Sequence, residues 1–107
     1  MDFNALSHVF PATARVDAQG HLQVGGADTV ALAGEFGTPL YVFCEETLRG
    51  RCRAFTRAFG DLHPDTLAIY AAKAYLGPAL AQVLQEEGLG LDVVSGGELA
   101  VAEAVGF

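Results

Sequence analysis

Apolar residues recur along this chain with two periods, and the switch from one to the other marks out its elements. Leu48, Cys52, Phe55 and Phe59 return at spacings of three and four, which predicts a helix from about Glu45 to Phe59 with those four on one buried face. Glu45 and Glu46 fall in its first turn, where the helix dipole favours acidic groups. Three short apolar runs read instead as strands: Leu40-Tyr41-Val42-Phe43, Thr66-Leu67-Ala68-Ile69-Tyr70, and Leu89 to Val94. Gly77-Pro78 opens the next helix, since proline loses nothing where the N–H has no partner anyway; Leu80, Val83 and Leu84 form its stripe and Gly88 closes it. Ser95-Gly96-Gly97 reads as a turn, followed by a helix from Glu98 to Val105. Upstream, Asp28 or Thr29 caps a short helix through Val30, Ala31, Leu32 and Phe36, stopped by Gly37. Residues 1–28 are polar and mixed, with a short strand at His21-Leu22-Gln23-Val24 ended by Gly25-Gly26.

Strand followed by amphipathic helix, repeated, means an α/β fold with a parallel sheet and helices packed outside it. An open doubly wound sheet and a (β/α)₈ barrel both suit the pattern. Three units do not close a barrel, which takes on the order of 250 residues, and Gly106-Phe107 falls where a fourth strand is expected to begin. The chain therefore reads as the front end of a longer protein, with a complete three-stranded α/β domain as the alternative.

Composition narrows the function. With 51% hydrophobic and 18% charged residues the chain is a folded globular protein. A net charge of −7 argues against nucleic acid, which demands clustered cations. Arg49, Arg51, Arg53 and Arg57 do cluster, but on a helical pattern with Glu45 and Glu46, as a solvated helix face does. No apolar run approaches the roughly 20 residues of a membrane span, and Met1-Asp2-Phe3-Asn4 has neither the basic nor the apolar region of a signal peptide. Cys44 and Cys52 lack a Cys-x-x-Cys spacing and read as reduced, partly buried thiols of a cytoplasmic protein. His8, His21 and His63 have no ligand spacing to one another or to the cysteines, so no metal is expected. Neither a Gly-x-Gly-x-x-Gly nor a phosphate-loop motif occurs.

Two residues are anomalous against this background. Lys73 is the chain's only lysine and follows an apolar strand, at what becomes the C-terminal mouth of a parallel sheet. Reactive groups gather at that mouth, where loops vary over a fixed scaffold. An amine held in apolar surroundings sheds its proton and becomes a nucleophile toward an aldehyde; the plain alternative is a lysine extending from the surface. Asp92 interrupts the apolar run Leu89-Gly90-Leu91-Asp92-Val93-Val94. A buried carboxylate needs a partner, either backbone amides at the strand end or a cation in the mouth. The turn Ser95-Gly96-Gly97-Glu98 allows backbone amides to approach an anion, and Glu98 either complements the helix dipole or aims into the mouth.

Three segments together resemble one family: Gly37-Thr38-Pro39-Leu40-Tyr41-Val42-Phe43, Tyr70-Ala71-Ala72-Lys73-Ala74, and Leu91-Asp92-Val93-Val94-Ser95-Gly96-Gly97-Glu98-Leu99. Their order and spacing are similar to those of the diaminopimelate decarboxylases, within the decarboxylases of alanine-racemase-like fold that act also on ornithine and arginine. The last segment is the most specific, and the resemblance covers about residues 26–107. It implies a pyridoxal phosphate (PLP)-binding (β/α)₈ barrel, of which residues 29–107 hold the first three strand–helix units. Residues 1–28 then supply a strand that joins a C-terminal β domain. It implies decarboxylation of meso-2,6-diaminopimelate to L-lysine and CO₂, a small amino-acid substrate and a homodimer. Lys73 matches the lysine that forms the Schiff base with the cofactor, Asp92 an acidic residue near it, Glu98 a glutamate lining the cofactor pocket, and Ala71 a small residue packed beside the cofactor. Many members carry Asn where this chain has Tyr75. An ornithine- or arginine-type decarboxylase, or a non-catalytic PLP-binding barrel, are the alternatives. The 107 residues alone, with an open strand edge, are expected to bind PLP weakly and to be inactive.

Overall fold

The computed structural model describes residues 3–107 and divides into two compact units, Met1–Leu48 and Arg49–Phe107. Met1 and Asp2, part of the segment read for a signal peptide, lie outside the described residues.

The first unit begins with helix α1 (Phe3–Leu6) and a 3₁₀ turn at Ser7–Val9. Three short strands follow, β1 (Arg15–Val16), β2 (Leu22–Val24) and β3 (Ala27–Asp28), antiparallel in that order. The apolar pattern revealed only the middle one, because two-residue strands carry no period; turn chemistry makes them. Asp17 Oδ1 accepts from the amides of Gln19 and His21 and folds β1 back onto β2. Gly25 and Gly26, with φ of 59° and 82°, then form the two-residue hairpin that turns β2 into β3.

Helix α2 (Thr29–Phe36) starts and stops where the sequence expects. Asp28 Oδ1 accepts from Val30 N at 2.8 Å, and Gly37, at φ 82°, donates its amide to the Ala33 carbonyl. The other Asp28 oxygen meets His21 Nδ1 at 2.9 Å. That bond and the Asp28 charge push the imidazole pKa up, while His21 and the Val30 amide hold the Asp28 carboxyl down. The raised histidine stabilises the fold at low pH and loses its contribution as pH climbs through its folded value. The depressed aspartate contributes at high pH and loses its share as pH falls through its own. The tie is therefore strongest between the two values. In an NMR titration His21 is expected to lose its proton above the usual value of about 6.5, and Asp28→Asn to bring it back down; an unmoved midpoint refutes the pairing.

The expected strand at residues 40–43 is not formed: it joins neither sheet. Its side chains still alternate, Leu40 and Val42 lining an apolar groove of about 340 Å³ with Leu22, Val24 and Ala33, while Tyr41 is 90% exposed. Apolar alternation makes a segment extended, but a strand exists only where a neighbour supplies hydrogen bonds.

Helix α3 (Glu45–Gly60) has its expected span, but only Cys52 of its apolar stripe is buried. Phe55 is 60% exposed and Phe59 54%, so the periodicity identified the apolar face without the surface that covers it. Both cysteines are free and buried. Hydrogen bonds to Thr13 and Thr47 lower the Cys44 thiol pKa, and burial raises that of Cys52.

In the second unit the arginine face is not simply solvated. Arg49 pairs with Glu86 and Glu87, and Arg53 forks onto both oxygens of Glu87 at 2.7 Å. Both acids stand at the end of helix α4 (Pro78–Glu86), so the arginines tie two helices together. Leu80, Ala81, Val83 and Leu84 of α4 are all buried. Pro78 opens α4 and Gly88, at φ 77°, ends the turn beyond it, as the sequence indicates.

Strands β4 (Ile69–Ala71) and β5 (Gly90–Asp92) pair in parallel, Ile69 with Gly90, Tyr70 with Leu91, and Ala71 with Asp92. Both are shorter than their apolar runs, and β4 lies toward the end of its own. Helix α5 (Gly96–Ala104) begins two residues before the position expected and packs on α4. Each of these strands is followed by a helix, so the chain is a mixed α/β fold.

Candidate functional site

Pairing in register sorts the β4–β5 side chains into two faces, because registered residues of parallel strands point the same way. Tyr70 and Leu91 lie on the half-covered face, and Ala72 beyond them is buried. Ile69, Ala71 and Asp92 lie on the opposite, open face. The open face thus carries two of the residues singled out from sequence, directly opposite each other. Asp92 is exposed there, which removes the premise that burial obliges it to find a partner. Its partner in register, Ala71, ends in a methyl group and leaves space beside the carboxylate.

Lys73 follows two residues later, in the 3₁₀ turn Ala72–Ala74 that leaves the C-terminal end of β4 and lies against β5. The lysine is exposed, while its neighbour Ala72 is 1% exposed and anchors the turn. Among the described residues neither Lys73 Nζ nor the Asp92 carboxylate has a hydrogen-bond or ion-pair partner. An amine and a carboxylate thus stand at adjacent strand ends with their bonding capacity open, as a site that takes up a ligand requires.

Glu98 is placed differently. Ser95 Oγ accepts from the Glu98 amide at 3.2 Å, and Glu98 Oε2 accepts from the amides of Val94 and Ser95 at 2.6 and 3.1 Å. This capping box closes the N-terminus of α5, so one oxygen of the carboxylate is engaged by its own helix. The spacing Ser-x-x-Glu carries that signal, an alternative to both the dipole-compensating and the mouth-facing readings of Glu98. Gly96 and Gly97 consequently lie inside the helix rather than in a loop.

Two further arrangements escaped sequence reasoning. Asp17, His21 and Asp28 bring their ligand atoms within 4.8 Å of one another. Their separation along the chain follows no ligand pattern, and the hairpin turns assemble them. Asp17 and Asp28 already accept from Gln19, His21, Gln23 and Val30. The second arrangement is Tyr70, whose hydroxyl donates to the Tyr75 carbonyl at 2.9 Å and bridges the turn that holds Lys73. Burial raises the Tyr70 phenol pKa. A phenol in an otherwise apolar strand was its only mark.

Comparison with known proteins identifies the family. Residues 45–107 match the family model described as "Pyridoxal-dependent decarboxylase, pyridoxal binding domain". Diaminopimelate decarboxylase of Bacillus methanolicus is 47% identical over 98 residues, covering 92% of this chain and 23% of that protein. The Bacillus subtilis enzyme of the same name is 46% identical over 95 residues, covering 89% and 22%. The crystal structure of AQ1208 from Aquifex aeolicus superposes with a TM-score of 0.78 at 40% identity, over 89% of this chain and 23% of that one. The chain thus spans about a quarter of the length of the relatives it matches. With more than half of its residues in that family model and the amine-bearing turn inside the matched region, the chain belongs to the pyridoxal-dependent decarboxylases.

Proposed function

We propose that the complete protein decarboxylates meso-2,6-diaminopimelate to L-lysine and CO₂, and that this chain supplies the lysine to which its pyridoxal phosphate is attached. The observation that carries the reading is Lys73, an exposed amine in a turn at the C-terminal end of a parallel strand, beside Asp92 on the next strand. The names of the relatives, at 41 to 47% identity, support the substrate.

The donor set fits the cofactor. An aldehyde is held by a primary amine, and Lys73 is the chain's only lysine. Asp92, one strand over, offers negative charge to a cationic nitrogen. Ala71, its partner in register, leaves room on the open face for a flat ring. Glu98, rooted by its capping bonds, holds a carboxylate at the start of α5, just past the strand that carries Asp92. When bound, pyridoxal phosphate supplies an electron sink for the charge left as CO₂ departs.

In this reading residues 29–107 are the first three strand–helix units of a (β/α)₈ barrel. Residues 1–28 bring a strand to a second, β domain. The open face of β4 and β5, with Ile69 at 59% exposure, suits the interior of such a barrel. The family resemblance supports a cytoplasmic homodimer that takes a free amino acid. No helix among the described residues is long and apolar enough to cross a membrane.

The test is product analysis with the purified, PLP-loaded gene product, given diaminopimelate, ornithine or arginine. L-lysine and CO₂ are expected from diaminopimelate with kcat/KM at least about a hundredfold above the other two, as a site built to bond a distal carboxylate rejects substrates that lack it. Comparable turnover of ornithine or arginine defeats the substrate assignment. Loading without turnover of any of the three favours a binding protein.

A further inference from the structure

The geometry points to Tyr70 as a positioning residue: by holding the Tyr75 carbonyl, its hydroxyl sets the turn from which Lys73 reaches the cofactor. This rests on the reading of Lys73 as the attachment residue. Tyr70 is the central residue of β4, held in register with Leu91, so its Cα and the face its side chain takes are set by the sheet. Three residues of 3₁₀ turn, Ala72–Ala74, separate the end of that strand from Tyr75, where the backbone becomes extended at φ −178°. The 2.9 Å bond from Tyr70 Oη to Tyr75 O therefore closes a loop with Lys73 inside it.

The far side of the loop is also held. A Cβ placed on Gly77 lies 2.6 Å from the Tyr75 hydroxyl, so the end of the Tyr75 side chain lies close over Gly77. Tyr75 is thus fixed at its carbonyl by Tyr70 and passes its ring over the start of α4. Lys73 has a long side chain with several rotatable bonds and, among the described residues, no partner for its amine. The placement of its Cα by the turn is then what limits where Nζ reaches. Small displacements of a reacting group carry large rate effects.

The experiment uses apoprotein of the complete gene product, wild type and Tyr70→Phe, mixed with pyridoxal phosphate alone. Lysine Nζ adds to the aldehyde carbon and water leaves; borohydride then reduces the C=N bond, and peptide mass mapping locates the adduct. Tyr70→Phe removes one oxygen and keeps the ring. It is expected to slow adduct formation about fivefold, the weight of one ordinary hydrogen bond. The thermal midpoint of the complete product is expected to stay within about 2 °C, since the bond removed lies in an exposed turn rather than in the core. The pH profile of the rate is expected to keep its midpoint and lose height, since position rather than acidity has changed.

A wild-type rate in Tyr70→Phe, with the adduct on Lys73, overturns the role of Tyr70 and leaves the Lys73 reading intact. An adduct on another lysine in the wild type defeats the Lys73 reading and this inference with it. A variant that loses its fold, or a profile whose midpoint shifts, shows the hydroxyl acting on the strand or on the amine's charge and overturns the positioning role.

Discussion

Lys73→Ala in the complete gene product is expected to abolish borohydride-trappable pyridoxal phosphate and to lower decarboxylation on the order of a thousandfold or more, the scale of losing the group that forms the covalent bond. Little else is expected to change. Lys73 is exposed and, among the described residues, makes no ion pair, so removing its side chain opens no cavity. Substitutions at such positions move stability by about 0.5 kcal/mol or less. The Ala72 methyl that anchors the turn, at 1% exposure, is untouched. Loss of cofactor retention with an unchanged unfolding midpoint is therefore the expected signature. Full trapping and normal turnover in Lys73→Ala refute the assignment outright.

Leu84→Ala is expected to produce the largest loss of stability among single truncations in the second unit, about 2–4 kcal/mol. Leu84 is 2% exposed within the stripe of α4, and its carbonyl accepts the Leu89 amide that leads the chain into β5. Truncation removes three buried carbons, Cγ, Cδ1 and Cδ2, whose contacts the neighbours replace only in part, and it loosens the joint between α4 and β5. Leu84→Met, which conserves volume, is expected to cost less than about 1.5 kcal/mol. Hydrogen exchange at the amides of β4 and β5 measures the difference: exchange accelerated to the same degree in both variants shows that packing at Leu84 does not hold these strands. The two predictions separate cleanly, one removing chemistry from an exposed turn and the other removing packing from the buried stripe of α4.

The parts of the fold legible in the sequence are those set by neighbours along the chain. Asp28 caps α2 and Gly37 ends it because both effects act within four residues. Pro78 at the start of α4 and Gly88 after its end are likewise local. The Ser95–Glu98 capping box is equally local, but the Gly96-Gly97 pair within it has the composition of a turn, although the Ser-x-x-Glu spacing says more about a helix start. The parts that were not legible depend on residues far away. Leu40 to Phe43 has the composition of a strand, yet no described strand pairs with it. Phe55 and Phe59 have the spacing of a buried face without burial. Arg49 and Arg53 have the local pattern of a solvated helix face, and the residues that claim them, Glu86 and Glu87, stand more than thirty positions on.

The candidate site divides the same way. By itself the sequence determined that the chain offers one lysine, that it follows an apolar strand, and that Asp92 interrupts another; the order of those motifs was sufficient to indicate the family. Only the tertiary structure decided that Ala71 and Asp92 are partners in register on an open face, that Glu98 bonds back to its own helix, and that Tyr70 spans the turn of Lys73. The reason is physical: helix caps and turns are closed by hydrogen bonds between residues a few positions apart. The facing of a strand and the reach of a side chain are set by which distant strand supplies the other half of the ladder.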